Sequence, residues 1–284
     1  VTFLESQISF SGLRLYVSPS GLDESAFQTI AAGETVQKDF DIAKAHDVSI
    51  GGTFDIVSDG AISYAESDST ELVGIVPFAS NVVSTQVDGA KAAETRRSYL
   101  QKMKRTAVQS DCTGTQRDSL LAAIQICATR ASAAALAAQS NSAKITEYFK
   151  QDTATVRSTV SGVFQKIAAE CANSTAGVSK QYCTDRARSC SGGVIAYTFP
   201  EQSYIVNCPG YFSQMVERTK TCHSDDKPFV TLHETTHLTQ IKGTDDYGVY
   251  GYAAVKRLTA AQNLNHADTY ALFANGEVVL FFTI

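Results

Sequence analysis

The sequence predicts an α+β protein: a β-rich amino-terminal domain, then a mainly α-helical domain that carries a small β-sheet. Three observations predict it. Short, partly alternating apolar runs fill residues 1–90. Long stripes of apolar residues at helical spacing follow from Arg117 onward. Net charge and cysteine content both change between these regions.

In the first 90 residues the strand-like runs are Ile8-Ser9-Phe10, Leu13–Val17, Phe54–Val57 and Leu72–Val76. Gly, Ser and Asp turns separate them, including Ala31–Glu34 and Ser49–Gly52. A small antiparallel sandwich or barrel is the expected outcome. His46 is the one histidine in this stretch, cysteine is absent, and no catalytic constellation appears.

Residues 1–90 hold thirteen acidic and three basic residues; residues 91–105 hold six basic residues and one acidic; residues 106–284 hold fifteen of each. The division reads as an acidic domain over 1–90, a basic linker over 91–105 and a near-neutral domain over 106–284. The linker ends in Lys102-Met103-Lys104-Arg105. Lys104-Arg105 is a pair of the kind that processing proteases cut, and cutting there would begin the second part at Thr106. Solvated charged faces explain the asymmetry without nucleic acid, which is not expected as a partner. No run of about 18 apolar residues is present, so no membrane span is expected. Val1 opens the chain without a charged and then apolar leader, so any secretory signal is expected to have been removed.

All seven cysteines, Cys112, Cys127, Cys171, Cys183, Cys190, Cys208 and Cys222, fall in the last part. Their clustering suits a disulfide-bonded domain in an oxidising, extracellular compartment. Asn173-Ser174-Thr175 is an N-glycosylation sequon, consistent with secretion. Two helices are expected over about 117–140 and 153–170, the first Ala-rich, the second with Val156, Val160, Val163, Phe164 and Ile167 on one stripe. Gly192-Gly193, Val194–Thr198 and Ser203–Val206 read as a β-hairpin whose edge could pair with an extended peptide.

The chemistry concentrates in His233-Glu234-Thr235-Thr236-His237. On a helix, histidines four apart share a face and can share a metal, with Glu234 beside them to take a proton from water. Asp225 and Asp226 are good N-cap residues, Pro228 suits the first turn, and Gly243 after Lys242 suits the end. An open catalytic zinc site needs a third protein ligand. The acidic residues after His237 are Asp245, Asp246, Asp268 and Glu277. Two of them lie in the Gly-rich turn just beyond the helix, close enough to fold back.

Gly243-Thr244-Asp245-Asp246 after that helix resembles the aspzincin signature of the deuterolysin family, G-T-x-D-x-x-Y-G, and Asn265–Leu272 resembles the family's N-x-A-D-x-Y segment. Three residues separate Asp246 from Tyr250-Gly251, where the family has two. The resemblance implies a zincin-type fold and a secreted zinc endopeptidase made as a zymogen, with residues 1–105 as its pro-region. It implies one Zn2+ held by His233, His237 and Asp246, with Glu234 as the proton-transfer group. Tyr250 or Tyr247 would face the substrate oxyanion, Tyr211 matches a tyrosine near the family's active site, and Asp268 would orient a ligand histidine. It pairs Cys112 with Cys183 and Cys190 with Cys208, and leaves Cys127, Cys171 and Cys222 unassigned. His266 and His223 are expected at the surface. Protein or peptide substrates, a processing protease and a monomer are the implied partners and state.

Relatives that cut before lysine carry a glutamate where this chain has Ala271, so broad cleavage, with some preference for basic proteins, is expected. The alternative is a zinc-stabilised, non-catalytic binding protein that keeps the fold. The intact Glu234 argues against it, because a structural zinc site needs no general base.

Overall fold

The structure is a computed structural model. It describes every residue except 1, 4, 5, 9, 102–107, 174–176 and 281–284. The processing pair Lys104-Arg105, Thr106 and two residues of the Asn173 sequon lie outside the described residues.

The amino-terminal strands are β1 (Thr2–Phe3), β2 (Ser6–Gln7), β3 (Arg14–Val17), β4 (Gly52–Ile56), β5 (Asp59–Ala65), β6 (Leu72–Ala79) and β7 (Val83–Val87). Among the described residues they do not close into a sandwich or barrel. β2-β1-β4-β7 form one antiparallel sheet and β5-β6 a separate hairpin. The physical reason is a shortage of core. Among the described residues the cluster buried here is Ala43, Val48, Phe54 and Ala92, while Ile62, Val73, Val76 and Val83 face outward. A unit with so little buried apolar surface cannot offset its ordering entropy alone, so it leans on the rest of the chain. β3 does so most completely. It leaves its neighbours and joins the sheet of the carboxyl-terminal part, in the order β3-β9-β10-β8, where β8 is Lys180–Tyr182, β9 Val194–Phe199 and β10 Tyr204–Asn207.

The expected basic linker is also different in form. Residues Gly89–Gln101 make helix α1, and buried Arg96 pairs with Glu201 at 2.9 Å. The run Gly89-Ala90-Lys91-Ala92-Ala93-Glu94 has good helix formers, and helix propensity outweighs the linker-like charge.

The carboxyl-terminal part is built on α2 (Gly114–Ser140), α3 (Ser142–Phe149), α4 (Ala154–Cys171), α5 (Pro209–Ser213), α6 (Lys227–His237), α7 (Tyr252–Val255), α8 (Ala260–Asn263) and α9 (Ala267–Leu280). By length and composition α2 could cross a membrane. Half of its apolar stretch is buried in this fold, where its alanines let α4 approach closely and Cys127–Cys171 ties the two together. Cys112–Cys183 and Cys190–Cys208 are the other disulfides, and Cys222 is free and exposed.

Every residue of α6 is buried, so this helix runs through the core with α2, α4 and α9 around it. Its start is set by Asp226, which accepts from the Phe229 amide at 2.9 Å. The same carboxylate takes a two-pronged contact from buried Arg130, 2.6 Å on each prong, and the Thr219 amide at 2.8 Å. The helix stops at His237, short of the expected Lys242, because Leu238 turns to extended ψ; Gly243, at φ +68, then completes the reversal.

Replacing Asp226 by Ala should destabilise the whole chain by about 3–5 kcal/mol, because it removes a cap and leaves Arg130 buried and unpaired. Chemical denaturation of the variant and wild type measures this, and a loss under 1 kcal/mol would mean the pair is dispensable.

Candidate metal centre

α6 places His233 and His237 one turn apart, both fully buried. His233 Nδ1 lies 3.1 Å from Asp268 Oδ1, and His237 Nδ1 lies 3.0 Å from the Thr244 carbonyl oxygen. Each partner accepts, so each Nδ1 carries the ring proton and each Nε2 presents a lone pair. The two Nε2 atoms are 3.2 Å apart, and Asp246 Oδ1 stands 3.2 Å from one and 3.3 Å from the other. Three lone-pair atoms at that spacing repel unless a cation lies among them. Tetrahedral zinc, with bonds near 2.0–2.1 Å, separates its ligand atoms by about 3.4 Å. Donor chemistry and spacing therefore fit zinc.

The electrostatics agree. Burial opposes a charged His233, but the Asp246 and Asp268 carboxylates overcome it and push its pKa up to about 10. Burial likewise opposes an ionised Asp246, yet both imidazoles hold it well below the usual carboxylate range. The pocket favours positive charge between these groups.

The turn that delivers Asp246 is held from several sides. Asp245 Oδ1 accepts from the amides of Asp246 and Tyr247 and from Arg14 Nη1 at 2.7 Å. His266, expected at the surface, is fully buried: its Nε2 lies 3.0 Å from the Asp246 carbonyl oxygen and 3.1 Å from that of Val249. Burial depresses its pKa, so a neutral ring donates to both carbonyls. Backbone carbonyls of the turn, Val249's above all, since the Asp246 carbonyl also accepts from the Val249 amide at 3.0 Å, drew it inward, and nothing in residue type alone signals that. His223 is half-buried, stacked on Tyr252 with ring centroids 3.6 Å apart.

Asp268 joins two parts of the site. Besides His233, it accepts from the Gly251 amide at 2.5 Å and so ties α9 to the turn before α7. Glu234 is fully buried beside the histidines, its Oε2 accepting from Thr198 Oγ1 on β9 at 2.6 Å. Among the described residues Oε1 has no hydrogen-bond partner. Burial pushes the Glu234 pKa up to about 7, with His233, His237 and Thr198 limiting the rise. Thr198 carries no metal-site signature in the sequence; only the pairing of β9 beside α6 gives it this contact.

The three tyrosines separate. Tyr250 packs 6.2 Å from the His233 ring and donates to the Leu15 carbonyl oxygen of β3 at 2.6 Å. Tyr247 turns away at φ +51, and its hydroxyl accepts from Asn265 Nδ2 at 3.3 Å. In the same turn Gly248, at φ +70, faces the Ala61 carbonyl so closely that a Cβ would collide with it. Tyr211 is packed behind α6, its hydroxyl 3.0 Å from Thr231 Oγ1, and does not join the His-His-Asp cluster. Its large ring gains more from the core than from the cleft, and Thr231 satisfies the hydroxyl.

An α+β fold, histidines one turn apart on a buried helix, a glutamate between them and an aspartate completing three donors define a zinc metallopeptidase. The chain belongs to the deuterolysin metalloprotease (M35) family, whose sequence pattern matches residues 3–281. It is similar to proteins named neutral protease 2 homolog in three fungi. Identity is 54% to that of Colletotrichum graminicola, covering 95% of this chain and 76% of the relative. It is 53% to one of Phaeosphaeria nodorum, covering 94% and 75%, and 50% to that of Pyricularia oryzae, covering 95% and 77%. A solved zinc peptidase from Grifola frondosa aligns at TM-score 0.49 and 21% identity, over 59% of this chain and 98% of that one. The chain is thus a zinc metalloendopeptidase acting on proteins. Its three disulfides and fungal relatives are consistent with an extracellular location.

Asp268→Ala should weaken zinc binding about 10–100-fold, because the supporting carboxylate fixes the His233 ring. Tyr247→Phe should leave it within twofold. Competition with a chromogenic chelator reads both, and equal affinity in the Asp268 variant would remove the orienting role.

Proposed function

We propose that this chain is a secreted zymogen of a broad-specificity zinc endopeptidase, with some preference for basic proteins, in which residues 1–105 block the cleft until the chain is cut after Arg105. One observation carries this reading: β3 lies antiparallel on β9, and Tyr250 donates to its Leu15 carbonyl. An extended substrate would use the same edge and the same donor, so strand and substrate compete for one place. The intramolecular link gives β3 a high effective concentration, and cutting the chain removes that advantage.

His233, His237 and Asp246 would hold a single zinc ion. When bound, zinc supplies a Lewis acid that polarises a peptide carbonyl and makes water more acidic. Glu234 takes a proton from the attacking water and returns it to the leaving amine. A carboxylate can serve both transfers, as base to the water and then as acid to the amine. Thr198 fixes the carboxylate through Oε2, which leaves Oε1 to meet water. Tyr250 donates to the carbonyl oxygen as negative charge develops there, and Asp268 keeps the His233 ring oriented. Three disulfides, exposed Asn173 as a glycosylation site and the pair Lys104-Arg105 support secretion and processing, and a single chain carries every group the reaction uses.

Glu234→Gln should keep zinc and lose nearly all activity on casein; substantial turnover would remove Glu234 from the reaction. Tyr250→Phe should lower kcat by roughly 10²–10³, and Tyr247→Phe should not. For the block, Lys104→Ala/Arg105→Ala chain is compared with cleaved chain on one peptide. The uncut form should be inactive, and equal rates would mean that residues 1–105 do not inhibit.

A further inference from the structure

Tyr16 makes the deepest contact of β3. Its ring is fully buried among Phe229, Tyr250 and His233, the last at 4.7 Å between centroids and edge to face. Its hydroxyl donates to Asp225 Oδ2 at 2.5 Å. Asp225 does not cap α6, since Asp226 does that. Among the described residues, Tyr16 supplies the hydrogen bond that the Asp225 carboxylate receives. Residues 106–284 therefore contain an apolar pocket with an acidic acceptor at its end, and the donor that satisfies it comes from the amino-terminal part.

We propose that Asp225 determines specificity: it closes the pocket for the residue that follows the cleaved bond and selects tyrosine there over phenylalanine. This rests on the reading of Tyr250 as the group that holds the scissile carbonyl. In β3 Tyr250 holds the carbonyl of Leu15, so the next side chain, Tyr16, stands where the residue after the cleaved bond would stand. Phe229 and Tyr250 supply apolar walls that either aromatic ring would fill. Phenylalanine, however, would leave the Asp225 carboxyl without its donor, which costs more than the missing atom alone. Burial, then the nearby Asp268 carboxylate, push the Asp225 pKa up to about 7, and both protonation forms can accept from a phenol. Asp225 also borders an open cleft lined by Ser18, Pro19, Gln214 and Met215, so it is not sealed. The preference should be tens-fold, not thousands-fold. Two residues before Tyr16, Arg14 meets Asp245 at 2.7 Å, partly exposed, and adds a weaker preference for a cationic side chain.

Two arms test the assignment. The first uses the uncut chain and needs no turnover: amide hydrogen exchange across Arg14–Val17 and Val194–Phe199 in Tyr16→Phe, Asp225→Leu and the double variant. Each single change should speed exchange roughly tenfold by leaving one polar group unmatched, and the double variant should recover protection because two apolar groups then meet. The second arm gives the cleaved chain peptides that differ only in tyrosine or phenylalanine after the cut bond. Tyrosine should be favoured roughly 10–100-fold in kcat/KM. Asp225→Asn, which still accepts, should keep the order, and Asp225→Leu should reverse it. Equal rates on the two peptides with wild type, or unchanged exchange in Tyr16→Phe, would overturn the assignment. Failure to cut any peptide would count against the proposed function instead, and the exchange arm would still decide for or against the pocket.

Discussion

Two imidazole nitrogens and one carboxylate oxygen, held within 3.3 Å of one another, form the electrostatic constraint on which the site depends. These lone pairs repel unless positive charge lies among them, so the surrounding structure holds each donor from behind. Asp268 holds one ring and the Thr244 carbonyl the other. The turn bearing Asp246 is held by His266 and by the inward carboxylate of Asp245. α6 cannot rotate away, because it is buried along its length and pinned at its start by the Asp226–Arg130 pair. Much of the fold thus follows from keeping three atoms close together.

The same requirement explains why β3 docks where it does. A cluster that favours positive charge, with a glutamate whose Oε1 lacks a partner among the described residues, lies at a sheet edge whose own hydrogen-bonding groups need covering. β3 covers that edge with backbone, fills the adjoining pocket with Tyr16 and sets Arg14 on Asp245. The amino-terminal part gains in turn, since among the described residues its own buried cluster is four residues.

The helix-borne histidines and the glutamate were legible in the sequence because metal chemistry needs those types at fixed spacing, whereas spacing left Asp245 and Asp246 both open and the family resemblance chose Asp246. The helices over α2 and α4 were legible from their apolar stripes, and Asp226 from capping preference. What was not legible depends on long-range pairing. Thr198 meets Glu234 only because β9 passes beside α6, and Arg130 meets Asp226 across 96 residues of chain. His266 looked like a surface residue because burial of a histidine is decided by backbone acceptors that folding brings to it. The expected closed β domain failed for a similar reason: alternation shows that a strand has two faces, but not which sheet it will join.

X-ray absorption at the zinc edge, on the zinc-loaded full chain, tests the central constraint most directly. A shell of nitrogen and oxygen donors near 2.0–2.1 Å is expected, carrying the multiple-scattering signature of two imidazoles. That signature should vanish when His233 and His237 are both replaced by alanine. A sulfur shell near 2.3 Å, pointing to Cys222, or an imidazole signature that survives the double replacement, would contradict it.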